Sequence, residues 1–86
     1  MGEEEIGYVS NYYSKLSVSS VEIINGTVSK GDTLHYKGHT TDFMAKVTSM
    51  QIDHKSVAEA KKGDSIGIKV NEKVRKGDRV FKVTED

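Results

Sequence analysis

His35 and His39 stand four residues apart, with Asp42 close behind, and His54 follows Asp53 beyond the next apolar run. Imidazole and carboxylate together make a donor set for Zn²⁺. A four-residue spacing, however, gathers two ligands on one side of a helix, and these histidines flank Gly38 in "HYKGHTTDF", a turn signal. No second ligand pair at short spacing supports them, and the chain has no Cys to supply a thiolate. No metal and no other cofactor is expected. The plainer reading is a polar loop, in which His39, Thr40 and Thr41 bond backbone groups across the turn and Asp42 caps it. Ser, His and Asp for acyl transfer all occur, but in no nucleophile elbow and at no known triad spacing. "SKGDT" and "KKGDS" share letters with a phosphate loop but lack its glycine spacing. The expectation is therefore no catalytic residue, no GTP binding by this chain alone, and a protein that is not an enzyme.

The charges point to binding instead. The 86 residues balance to zero, yet residues 1–60 carry −3 and residues 61–82 carry +5. A neutral total argues against avid nonspecific nucleic-acid binding, which neutralises many phosphates at once. The basic segment still offers a local face, with Lys61, Lys62, Arg75, Lys76 and Arg79 as candidate phosphate contacts. The alternative is a solvated rim of charged strands. Tyr8, Tyr12 and Tyr13 form the aromatic cluster. Adjacent Tyr12 and Tyr13 must point to opposite faces of a strand, so one of them, with Tyr13 the candidate, is exposed to stack on an unpaired base; the plainer reading is a Tyr covering the barrel end with its hydroxyl in water. No apolar stretch approaches the roughly 18 residues of a membrane helix. The absence of Cys fits a reducing cytoplasm, the expected location.

The elements that position these residues follow from one tripeptide used three times. Lys-Gly-Asp occurs at Lys30-Gly31-Asp32, Lys62-Gly63-Asp64 and Lys76-Gly77-Asp78, each followed by a short β-branched or aromatic run. Gly supplies a positive φ, and the Asp carboxylate can accept backbone N–H groups and settle the turn. Each copy should introduce a new strand. Apolar alternation of period two dominates the chain, with phase slips at Ser19-Ser20 and between Val47 and Met50 that predict bulged, bent strands. Met44 and Met50 are expected in the core. Ser56 with Glu59 three residues on could cap one short helical turn over 56–62.

Three stretches resemble the second domain of translational GTPases such as elongation factor Tu. They are "GTVSKGDTLHYKG", "AKVTSMQIDHKSVAEAKKGDSIGIKV" and "VRKGDRVFKV". The stretch "KGHTTDFMAKVTSMQIDH" is similar to small translation-elongation-factor-like proteins. It is also similar to the barrel at the C-terminus of collagenase-like peptidase relatives, several of which act in RNA modification. The resemblance implies an all-β fold: a six-stranded closed Greek-key barrel over residues 6–83, between a disordered acidic lead (1–5) and an acidic tail (84–86). It also implies a noncatalytic module that contacts structured RNA or a ribonucleoprotein. The "GHTTDF" hairpin (His39, Thr40, Thr41, Asp42) would read shape beside the five basic residues and Tyr13. The alternative partner is a larger, RNA-modifying enzyme that the module serves as an adaptor.

Overall fold

The computed structural model describes residues 2–84, and these residues contain strands and turns without a helix. Ten strands follow in chain order: β1 (Gly2–Tyr13), β2 (Val18–Ile23), β3 (Thr27–Ser29), β4 (Thr33–Lys37), β5 (Asp42–Lys46), β6 (Met50–Ile52), β7 (Lys55–Val57), β8 (Glu59–Lys61), β9 (Ser65–Lys69) and β10 (Arg79–Thr84). Eight form one antiparallel ladder in the order β5-β4-β10-β1-β2-β9-β6-β7, and β3 pairs with β8 separately. Val28 of β3 and Ala60 of β8 join the same buried cluster as Ile6, Val21, Leu34, Ile66 and Val80, so both sheets enclose one core.

The three Lys-Gly-Asp turns share one geometry. Gly31, Gly63 and Gly77 have φ of 96°, 97° and 96°. In each turn the Asp amide donates to the carbonyl three residues back, on Ser29, Lys61 or Arg75. The Asp carboxylate accepts the amide of that same residue, at 2.7 Å (Ser29), 2.9 Å (Lys61) and 2.8 Å (Arg75). Each turn also docks on one buried β-branched residue. The Gly amide donates to the carbonyl of Val47, Ile23 or Val9, and that residue's own amide donates back to the Asp carbonyl. The repeated tripeptide is thus a repeated clasp. Each copy fixes the start of a strand (β4, β9 or β10) against a core residue distant in sequence.

The ladder is strongly curled. Tyr36 on β4 and Ser19 on β2 have β10 and β1 between them, which in a flat sheet would separate them by about 14 Å. Their hydroxyls nevertheless lie 3.1 Å apart inside the core. Burial pushes the Tyr36 hydroxyl up to about 12, with the Ser19 hydrogen bond opposing the shift. Tyr36 also stacks on Phe43 at 5.1 Å.

The structure corrects several expectations. The fold is all-β and barrel-like, but its pairings do not form a closed six-stranded barrel: the ladder ends at β5 and β7. Long strands break where other segments compete for their backbone groups. Ile24 and Asn25 both donate to the Ile6 carbonyl, which ends β2, and Lys30 donates to Ala58, which separates β7 from β8. The helical turn over 56–62 is absent, because Ser56 pairs with Gln51 and Glu59 with Ser29 as strand residues. Residues 2–5 are not a disordered lead; they open β1 and pair with Phe81 to Thr84 of β10. Thr84, expected in the acidic tail, ends β10, while residues 85–86 and Met1 lie outside the described residues.

Strand β2 has no bulge at Ser19-Ser20. Ser19, Val21 and Ile23 all face inward, and Ser19 is satisfied in the core by Tyr36 and by donation to the Ile68 carbonyl. The bulges lie in β1, between Glu5 and Gly7 and between Val9 and Asn11. Met50 is buried, but Met44 is 58% exposed.

Candidate functional site

The third clasp and the β4–β5 hairpin meet at one end of the curled sheet. Gly38 donates to the Thr41 carbonyl at 2.7 Å, which tightens the hairpin. A Cβ on Gly38 would lie 2.0 Å from the Asp78 carboxylate, so glycine is what lets the hairpin press against the turn. Asp78 is only 6% exposed, and its carboxylate holds the Arg75 amide. Between the two loops opens a cleft of ≈ 600 Å³. Lys37 and His39 line it from the hairpin, Arg75 and Lys76 from the turn, and Arg79 and Phe81 from β10.

Strand register explains this company. Val80 faces the core, so its neighbours Arg79 and Phe81 face outward. Arg79 pairs with Lys37 on β4, and Phe81 lies between His35 on β4 and Glu5 on β1. The Arg79 guanidinium is 3.8 Å from Glu5. The His35 ring lies 6.4 Å from Phe81 and spans two carboxylates, with Nδ1 2.8 Å from Glu3 and Nε2 2.5 Å from Asp42. The Asp42 hydrogen bond raises the His35 pKa above its ordinary value; burial opposes this and Glu3 adds to it. The bond to His35 in turn holds Asp42 below the usual carboxylate range.

Four of the expected contacts therefore come together: His39, Arg75, Lys76 and Arg79. The rest do not. Lys61 ends β8 and Lys62 belongs to the second clasp, which docks on Ile23, so neither lines this cleft. Thr40 is exposed at the hairpin tip, and Thr41 is buried with its carbonyl taken by Gly38. Asp42 does not cap the turn; it holds His35. Tyr13, 48% exposed, lines a separate groove with Leu16, Val18, Gly67 and His54. Asp53 and His54 have φ of 52° and 64° and form the two-residue turn of the β6–β7 hairpin. Among the described residues, no group of three His, Cys, Asp or Glu is arranged to hold a metal ion. Two cleft residues, Lys37 and Phe81, were not singled out from the sequence. Lys37 was readable beside Gly38, and Phe81 follows from the outward parity of β10.

The fold and cleft define an all-β, barrel-like module with a basic mouth, and its likenesses agree with the fold. No protein-family model matches the chain. The chain is 46% identical over 82 residues to the uncharacterized protease MJ0090 of Methanocaldococcus jannaschii, covering 94% of this chain and 20% of that protein. It is 35% identical over 78 residues to a collagenase of Porphyromonas gingivalis, covering 90% of this chain and 22% of the collagenase. The chain thus spans about a fifth of the length of the curated relatives it matches. Among solved structures, the C-terminal domain of a Geobacillus thermoleovorans protein described as a U32 peptidase superposes with a TM-score of 0.86. That match has 17% identity and covers 94% of this chain and 93% of that domain. The relatives are protease- and collagenase-like proteins, and the shared fold is that of a U32 peptidase C-terminal domain. No helix among the described residues is long and apolar enough to cross a membrane.

Proposed function

We propose that the chain is a noncatalytic binding module that contacts structured RNA or a ribonucleoprotein through the basic cleft. The translation-factor-type closed barrel belongs to the same reading. The observation that carries it is convergence: Lys37 at the end of β4, Arg75 and Lys76 in the third clasp and Arg79 at the start of β10 share one cleft with an aromatic ring. Of the carboxylates nearby, Asp78 is engaged with the Arg75 amide, and Glu5 forms a 3.8 Å surface ion pair with Arg79 that a phosphate would have to displace. About four phosphate contacts would give a salt slope near −3 on a single-stranded site. Affinity should then fall on the order of 50-fold between about 50 and 200 mM salt. Fluorescence anisotropy with labelled tRNA tests this. No binding at low salt, or binding indifferent to salt, would remove the RNA reading.

A second reading is favoured by the relatives' length. In them the matching region is about a fifth of a larger protein, so the module could act as an adaptor for a larger, RNA-modifying enzyme. A pull-down repeated after nuclease treatment separates the readings. A protein partner that survives nuclease supports the adaptor.

A further inference from the structure

We propose that Phe81 is a stacking platform for one unpaired base, so that the cleft selects single-stranded segments over duplex; this rests on the RNA reading above. Phe81 is the outward aromatic on β10, a strand near the middle of the ladder, and it is only partly covered. Its surroundings are polar and ordered. His35 stands 6.4 Å away on one flank, locked by Glu3 and Asp42. Glu5 lies on the other flank, engaged with Arg79. The cations occupy one side of the ring, in the sequence Arg79 and Lys37, then the turn residues Arg75 and Lys76. A base laid on Phe81 would thus have its phosphates drawn toward the third clasp. The volume of ≈ 600 Å³ falls in the ~300–1,000 Å³ range of small-ligand sites, which suits a nucleotide or two and not a helix. Aromatic stacking on a base is tolerant of sequence, because every base has a π face. The site is therefore expected to prefer strandedness, with little preference for which base it takes.

The test uses the whole protein with labelled oligoadenylate and with the same strand annealed to its complement. Wild type should bind the single strand at least about tenfold more tightly. Phe81→Leu should weaken single-strand binding by about 5- to 150-fold, the range for loss of one stacked base, and leave duplex binding unchanged. Lys76→Glu should weaken both. The chain has no Trp, so Phe81→Trp supplies a second readout that needs no affinity change: the lone indole should be quenched by oligoadenylate. Equal binding of both forms, with Phe81→Leu neutral and the indole unquenched, overturns the stacking platform and leaves the RNA reading standing. If neither form binds wild type at low salt, the platform falls, and labelled tRNA under the same conditions decides whether the RNA reading falls with it. Circular dichroism on each variant identifies any that fails to fold, and the indole variant then decides.

Discussion

Replacing each clasp glycine by alanine separates backbone cost from crowding. At Gly31, Gly63 and Gly77 an added Cβ would meet nothing within 4 Å, and φ is 96°, 97° and 96°. Only the backbone conformation resists the change, at about 1–2 kcal/mol for an L-residue in that region. The three substitutions should therefore cost nearly the same. In a domain of this size each kilocalorie lowers the melting temperature by about 4–8 °C. Asparagine tolerates positive φ better than alanine, so Gly77→Asn should cost less than Gly77→Ala. Gly7 is the counter-example. It has no positive φ, but a Cβ there would lie 2.0 Å from the Glu22 carbonyl oxygen, between paired strands β1 and β2. Its cost is steric, at about 3 kcal/mol or more, and asparagine should be no better than alanine. Urea denaturation followed by circular dichroism measures all of these. Neutral alanines at the clasps, widely unequal costs among them, or a tolerated Gly7→Ala would refute the reasoning.

Three further outcomes follow from the same geometry. Ser19→Ala and Tyr36→Phe should each destabilise by about 1 kcal/mol, and a double-mutant cycle should show positive coupling between the two hydroxyls. Stability should also depend on pH through His35, which faces Glu3 and Asp42, with Lys37 beside Asp42. Its raised pKa gives a contribution complete below the ordinary 6.5 and lost as pH climbs through the folded value. The lowered Asp42 pKa gives one complete above the ordinary 3.8 and lost as pH falls through the folded value. Stability from this cluster should peak between those limits, and His35→Gln should remove the alkaline-side loss in a pH series of denaturation curves. Charge reversal at Arg75 or Arg79 should weaken RNA binding and flatten its salt slope, while reversal at Lys61 or Lys62 should change both less, as read by anisotropy.

The turns were legible because their chemistry is local: Gly takes the positive φ and Asp holds an amide three residues back. What escaped the sequence depends on distant partners. Ser56 and Glu59 have the letters of a capping box, yet long-range pairing with Gln51 and Ser29 makes them strand residues. Ser19 looks like a break in apolar alternation, and the Tyr36 hydroxyl arriving from β4 together with the Ile68 carbonyl on β9 explains a serine in the core. The bulges of β1 are set by its register against β10 on one side and β2 on the other, which no periodicity reports. The same division holds for the cleft. Its cations were visible as a charged segment, but Lys61 and Lys62 were separated from the others by where their clasps dock, Ile23 for the second and Val9 for the third. Phe81 became visible only once Val80 was seen to face inward.

The most direct measurement of the central claim is a ¹⁵N–¹H correlation spectrum of the protein titrated with single-stranded RNA at low salt. The account predicts that amides of Gly38, His39, Arg75, Lys76, Gly77, Arg79 and Phe81 shift together, while those near Lys61, Lys62 and Tyr13 stay in place. Shifts confined to the Tyr13–Leu16 groove, or a spectrum unmoved by RNA, would contradict it.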